Sequence, residues 1–224
     1  MTVALIDYGA GNLTSVRKAL THLGAPFVTP AGPHELAGAA GVIVPGVGNF
    51  EATAALAGGW HAAIREAVDR GRPLLGICLG LQWLFEGSDE APDVPGLGVI
   101  AGRCTLIEND AANEATAYRG GIFKVPHVGW NSLERRRDDS WALDGVPDGA
   151  QVYFTHSYAA PVTADCVGAT TYGLSFASVV EQGHVVGAQF HPEKSGDVGL
   201  RVLANFLRRV TRTSSTAAPA MSGS

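Results

Sequence analysis

The chain lacks most of the features that would place it outside the cytoplasm, in a membrane or on a charged polymer. Among its 224 residues only three are cysteines, Cys78, Cys104 and Cys166. Their wide spacing fits neither a disulfide framework nor a metal motif, so the expectation is a reduced, cytoplasmic protein with no metal site and no cofactor. Positive charge is also scarce: 16 Lys and Arg stand against 21 Asp and Glu, a net charge of -5, and the run Arg135-Arg136-Arg137 is followed at once by Asp138 and Asp139. Phosphate backbones are held by clustered cations, which argues against nucleic acid as the main partner. No apolar stretch is long enough to span a bilayer. The N-terminus opens on the strand-like Val3-Ala4-Leu5-Ile6 without the basic segment and longer apolar region of a signal peptide, so neither membrane insertion nor export is expected. No internal repeat is evident, and no linker clearly divides the chain.

What is present is apolar and patterned. Hydrophobic residues make up 46% of the chain, enough for one sizeable core. Its length fits a single large α/β domain, with two smaller domains as the alternative. The first half alternates β-like runs (Val3 to Ile6, Phe27-Val28, Gly41 to Val44, Leu74 to Ile77) with helical patterns at Leu13 to Leu23 and Ala62 to Arg70. Such alternation predicts a parallel sheet covered on both faces, with ligands beyond the carboxyl ends of its strands. The second half carries short strand-like runs at Val99-Ile100, Cys104 to Ile107, Val152 to Thr155, Val167 to Thr171, Ala177 to Glu181 and Val185 to Phe190, which predict antiparallel meanders and hence a mixed sheet. Gly196 to Val210 reads as a closing helix. From Thr211 the chain is small and polar without periodicity, so a domain over 1–210 and a disordered tail over 211–224 are expected.

The chemistry concentrates in Pro73-Leu74-Leu75-Gly76-Ile77-Cys78-Leu79-Gly80-Leu81-Gln82, where an apolar strand delivers one cysteine into a turn flanked by glycines. Glycine tolerates the crowding of a sharp strand-to-helix turn, and a thiol exposed at the following helix N-terminus gains thiolate character. Far downstream, His191-Pro192-Glu193 follows another apolar run. Cys78, His191 and Glu193 thus supply a nucleophile, a general acid/base and a carboxylate to orient the imidazole, the minimum for acyl transfer through a thioester. Pro45-Gly46-Val47-Gly48 ends the third strand, and glycine on either side of Val47 lets that peptide rotate to aim an N–H inward. Gly46, Val47 and Gly48, with Leu79, are therefore the oxyanion-hole candidates. Cys104 and Cys166 lack His or Gly partners and read as core. His22, His34, His61 and His184 read as exposed, and Trp130 suits a core position or an exposed anchor equally well.

Gly-Ile-Cys-Leu-Gly-Leu-Gln followed by His-Pro-Glu resembles the class I, or triad, glutamine amidotransferases, and the resemblance covers Val3 to about Val210. It implies a three-layer fold around a mixed, largely parallel sheet, and hydrolysis of the glutamine side-chain amide by Cys78, His191 and Glu193. Gly48, Gln82, Ser157 and Tyr158 would then bind glutamine. Further motifs narrow the resemblance: Asp7-Tyr8-Gly9-Ala10-Gly11-Asn12, Pro45-Gly46-Val47-Gly48, Lys124-Val125-Pro126-His127-Val128-Gly129-Trp130-Asn131 and His191-Pro192-Glu193-Lys194-Ser195 are similar to the branch that passes ammonia to a separate (β/α)8-barrel cyclase of histidine biosynthesis. That branch places Asn12, Lys124, Trp130 and Lys194 at the partner interface. The alternatives at this point are the anthranilate, guanylate or pyridoxal phosphate synthases, or a regulatory subunit that keeps the fold without the reaction.

Overall fold

The structure is a computed structural model that describes residues 1–107 and 124–216, with side chains through residue 213. The polar segment from Glu108 to Gly121, whose conformation the sequence leaves open, lies outside the described residues.

The first half builds β1 (Val3–Leu5), α1 (Leu13–His22), β2 (Phe27–Val28), β3 (Gly41–Gly46), α2 (Gly59–Asp69), β4 (Leu74–Cys78) and α3 (Leu79–Leu84). The short β5 (Gly87–Ser88) and β6 (Arg103–Leu106) follow, then β7 (His127–Arg135), β8 (Ala150–His156), β9 (Tyr158–Ala159), β10 (Cys166–Tyr172), β11 (Leu174–Gln182) and β12 (Val185–Ala188). The last helix is α4 (Gly196–Thr216).

Nine strands form one sheet in the order β2-β1-β3-β4-β12-β11-β10-β7-β8, and β5-β6-β9 form a small second one. From β2 to β12 every pairing in the large sheet is parallel; from β12 to β8 every pairing is antiparallel. β12 is therefore the seam, parallel to β4 on one side and antiparallel to β11 on the other.

Side chains alternate across a strand, and the two resulting faces build two cores. Val3, Leu5 and Ile43 pack with α1 and α4 through Val16, Leu20, Val202, Leu203 and Phe206. Ala4, Ile6, Val42 and Val44 pack on the opposite face with Leu36, Phe50, Ile64 and Leu81. The result is the expected three-layer arrangement of helices on both faces of a mixed sheet.

Besides the two-residue strands β5 and β9, which were not expected, three details differ from the sequence reading. Val99-Ile100 forms no strand: both amides donate to the Leu84 carbonyl at the end of α3, and Ile100 is buried. β7 was not among the expected strands, because Gly129, with φ +139°, and several polar residues interrupt its apolar alternation. α4 continues past Val210 to Thr216, so the expected tail does not begin at Thr211; within the helix Thr211 and Thr213 donate their hydroxyls to the Leu207 and Arg209 carbonyls. Residues 217–224 lie outside the described residues.

Candidate active site

The parallel register sets the reacting groups side by side. Gly46 at the end of β3 pairs with Cys78 at the end of β4, and Ile77 pairs with Ala188 at the end of β12, three residues before His191. Cys78 is the only non-glycine described residue in the left-handed region, at φ 53°. Such a conformation costs about 1–3 kcal/mol and persists because the surroundings enforce it. The flanking glycines make room for the tight turn: a Cβ on Gly80 would stand 1.8 Å from the Val44 carbonyl oxygen, and one on Gly76 would stand 2.5 Å from the Gly80 oxygen. α3 is only six residues long, so its dipole is a smaller influence on the thiol than the sequence alone implied.

Cys78 is nearly buried, with Sγ 3.9 Å from the Thr155 carbonyl and 3.7 Å from the Gln189 side-chain nitrogen. His191 Nδ1 lies 2.8 Å from Glu193 Oε1, with both side chains about 2% exposed. The carboxylate accepts from Nδ1–H, which fixes the imidazole tautomer and leaves Nε2 to manage the sulfur's proton. Nε2 is buried without a hydrogen-bond partner among the described residues. Burial disfavours the His191 cation, but Cys78 and then Glu193 outweigh it and push its pKa up to about 10. The loop from His191 to Ser195 is stitched to β8: Ser195 Oγ donates to the His191 carbonyl and accepts from the Tyr153 amide, and the His191 amide donates to the Tyr153 carbonyl.

The oxyanion candidates Gly46, Val47, Gly48 and Leu79 all lie at the Cys78 edge. A Cβ on Gly46 would be 2.2 Å from the Tyr8 hydroxyl and 2.8 Å from Leu79 Cβ, and Gly48 has φ +97°, so both positions require glycine. Tyr8 Oη is buried without a hydrogen-bond partner among the described residues, and burial followed by the nearby Cys78 raises its pKa.

A cavity of about 260 Å³ opens on Cys78 and is lined by Gly48, Leu79, Gln82, Glu90, Pro126, Thr155, His156, Ser157 and Tyr158. All four glutamine-binding candidates are thus together. Gln82 is buried rather than solvent-facing, and its nitrogen donates to the Tyr158 carbonyl at 2.9 Å and to Gln189 Oε1 at 3.3 Å. Its own carbonyl oxygen is what it can offer a ligand. Glu90 was absent from the sequence reading; it accepts from the Phe50 amide, and burial raises its pKa against that bond.

Beneath Tyr158 lies a histidine pair that the sequence does not announce. Asn131 Oδ1 accepts from the Ser132 amide, so its nitrogen must donate to His127 Nε2; His127 Nδ1–H then donates to His156 Nε2 at 3.2 Å, and His156 Nδ1–H donates to the Tyr158 carbonyl at 2.9 Å. That chain requires both rings neutral. Burial lowers both, His127 to about 4 and His156 to about 3. His127 also stacks on Phe154 and Tyr172, a packing role. No His, Cys, Asp or Glu group among the described residues could hold a metal. His61 and His184 are less free than expected: His61 meets the Trp83 ring edge-on, and His184 Nε2 donates to the Val68 carbonyl.

The interface candidates lie on the surface. Trp130 is 56% exposed and meets Tyr153 edge-on, while Lys194 Nζ sits 5.8 Å from the centre of the same ring. Exposure settles Trp130 as outside the core. Lys124 is exposed, its carbonyl accepting from Tyr172 Oη. Asn12 is exposed and also caps α1, accepting from the Ser15 amide.

A strained cysteine beside the glycines that end β3 and near a buried His–Glu pair, on adjoining ends of a mixed sheet, brings together the groups that a thiol acyl-transfer site needs. The model of the family "Glutamine amidotransferase class-I" matches residues 4–210, and the chain belongs to that family. Within it, the chain is 48% identical over 208 residues, 91% of this chain and 93% of its relative, to "Imidazole glycerol phosphate synthase subunit HisH" of Moorella thermoacetica. It is 45% identical over 212 residues, 93% of this chain and 94% of the relative, to the protein of the same name from Deinococcus radiodurans. Among solved structures, "Crystal structure of glutamine amidotransferase" aligns with TM-score 0.68 at 20% identity, covering 93% of this chain and 98% of that one. "Structure of PurLQS from Thermotoga maritima" aligns with TM-score 0.68 at 18% identity, covering 92% and 97%. These two likenesses concern the fold.

Proposed function

We infer that this chain is the glutaminase subunit of imidazole glycerol phosphate synthase. It hydrolyses L-glutamine to glutamate and ammonia, and a (β/α)8-barrel cyclase subunit uses the ammonia to make imidazole glycerol phosphate and aminoimidazole carboxamide ribonucleotide in histidine biosynthesis. Relatives of that name match at 45–48% identity over more than nine-tenths of both chains. The observation that carries the chemical reading is the buried His191–Glu193 pair beside the strained Cys78. No helix among the described residues is long and apolar enough to cross a membrane, and the proposed compartment is the cytoplasm.

In the proposed mechanism, His191 Nε2 takes the Cys78 proton and the sulfur attacks the side-chain amide carbon of glutamine. The oxyanion is met by N–H groups of the Gly46-Val47-Gly48 loop and Leu79. Collapse breaks the C–N bond, the leaving nitrogen takes the proton from His191, and ammonia departs. Water, deprotonated by His191, then attacks the thioester, releasing glutamate and returning the proton to sulfur. Glu90 offers a carboxylate to the substrate's ammonium group, while Gln82 and the Ser157-Tyr158 segment face its other polar atoms. Asn12, Lys124, Trp130 and Lys194 form the proposed cyclase-facing surface.

A glutamine analogue with an electrophilic carbon in place of the side-chain amide tests the reading. Mass spectrometry should find one adduct, on the Cys78 peptide, and Cys78→Ser should lose both adduct and turnover. Modification elsewhere, or turnover surviving in Cys78→Ser, would contradict the assignment.

A further inference from the structure

Gln189 has no part in the triad, yet it is completely buried beside it, with its side chain directed at the sulfur. We propose that Gln189 is an additional catalytic residue whose side-chain N–H donates to Cys78 Sγ and stabilises the thiolate formed when His191 takes its proton. The proposal rests on Cys78 being the nucleophile.

The orientation of the amide follows from its neighbours. A backbone carbonyl only accepts, so the Gln82 atom 2.9 Å from the Tyr158 oxygen is its nitrogen. That nitrogen carries only donors, so the Gln189 atom 3.3 Å from it is the carbonyl oxygen. The planar amide then presents its own nitrogen to Cys78 Sγ, 3.7 Å away. Reversing Gln189 would set nitrogen against nitrogen between two buried side chains, a repulsion that burial makes costly. The chain Tyr158 carbonyl, Gln82, Gln189, Cys78 thus has one consistent direction, ending in a donor on sulfur.

A donor to the charged form favours that form, so this N–H stabilises thiolate over thiol without adding another titrating group. It complements His191, which must release a proton during turnover and cannot remain a fixed donor; an amide can. The titratable groups facing Cys78 are His191 from the loop after β12, backed by Glu193, and Tyr8 after β1. His156 at the end of β8 interacts with His191 and is held neutral by burial. Glu90 lines the same cavity.

Two variants separate donation to sulfur from mere support of Gln82. Gln189→Met keeps roughly the volume and removes both polar atoms. Gln189→Glu keeps an acceptor for Gln82 and replaces the donor facing sulfur with an oxygen. The measurement is the rate of Cys78 alkylation by iodoacetamide against pH on the full chain, read by mass spectrometry of the Cys78 peptide, with circular dichroism confirming fold. Gln189→Met is expected to move the thiolate limb up by about one pH unit, roughly tenfold less thiolate below it, with a matching loss in kcat and little change in KM. Gln189→Glu should move it at least as far. A limb unmoved in folded Gln189→Met, or a wild-type profile in Gln189→Glu, would overturn the proposal, and the Glu variant alone decides if the Met variant does not fold. If Cys78 in the unmodified chain titrates as an ordinary thiol and Cys78→Ser retains turnover, the nucleophile assignment itself fails, and Gln189 with it.

Discussion

The two halves of the large sheet handle the same site by different means. On the parallel side, β3, β4 and β12 end in short loops, and close backbone approaches at Gly46, Gly76 and Gly80 dictate where Cys78 points. On the antiparallel side, β7 and β8 contribute nothing that attacks or leaves. They hold the 155–158 segment through Asn131, His127 and His156, and present Trp130 to solvent. In the proposed reading, reactivity comes from local geometry, where one methyl group is too many, whereas substrate placement and the partner surface come from long-range contacts between strands. Damage on the parallel side should therefore fall on kcat, and damage on the antiparallel side on KM and partner response.

The largest expected effect is on the parallel side. Gly46→Ala sets a methyl against Tyr8 and Leu79, displacing the oxyanion loop, and glutamine turnover should fall on the order of 100- to 1,000-fold, while a loss below tenfold would mean the loop has slack. Glu193→Gln is next. The raised pKa of His191 is a stabilising contribution fully present below about pH 6.5 and lost as pH rises through about 10, so wild-type thermal stability should decline over that window and the variant should show a flatter profile. An equally steep profile in the variant would break the pairing argument. Across the seam, Trp130→Ala should weaken cyclase binding by about 2 kcal/mol, measured by titration calorimetry, with the melting temperature of the lone subunit unchanged.

His127→Phe keeps a ring between Phe154 and Tyr172 but leaves His156 Nε2 without its donor, so the glutamine KM should rise several-fold with kcat largely kept. The same variant bears on acid stability. Because both histidines have lowered pKa values when folded, the unfolded chain binds protons that the folded chain refuses, and stability falls as pH drops from about 6.5 towards 4. Removing His127 should lessen that fall, as urea titrations at pH 7 and 4.5 would show. The smallest effect is Asn12→Ala, about 1 kcal/mol from the lost cap of α1, so any loss of partner response in it must be corrected for stability.

Legibility follows whether a local pattern in the chain marks the residue. Gly46, Cys78 and His191 were readable because glycine punctuation beside an apolar run marks a strand end, and parallel strands put such ends on one edge. Glu193 was readable from its place two residues after His191. Gln189, Glu90, Tyr8 and the His127–His156 pair were not, because their meaning lies in partners distant in the chain: Gln189 meets Cys78 across 111 positions and His127 meets His156 across 29. A buried glutamine and an exposed one are the same letter. β7 was hidden for a related reason, since its exposed and half-buried positions carry too little apolar alternation to mark a strand.

The central claim is that a buried triad hydrolyses glutamine for a cyclase. Its most direct test is steady-state glutamate formation from glutamine by this chain alone, then with purified cyclase and the cyclase's nucleotide ligand. Slow turnover alone and strong stimulation in the loaded complex, with ammonia appearing in the cyclase product, is the predicted result; fast turnover alone that the cyclase and its ligand leave unchanged would contradict the account.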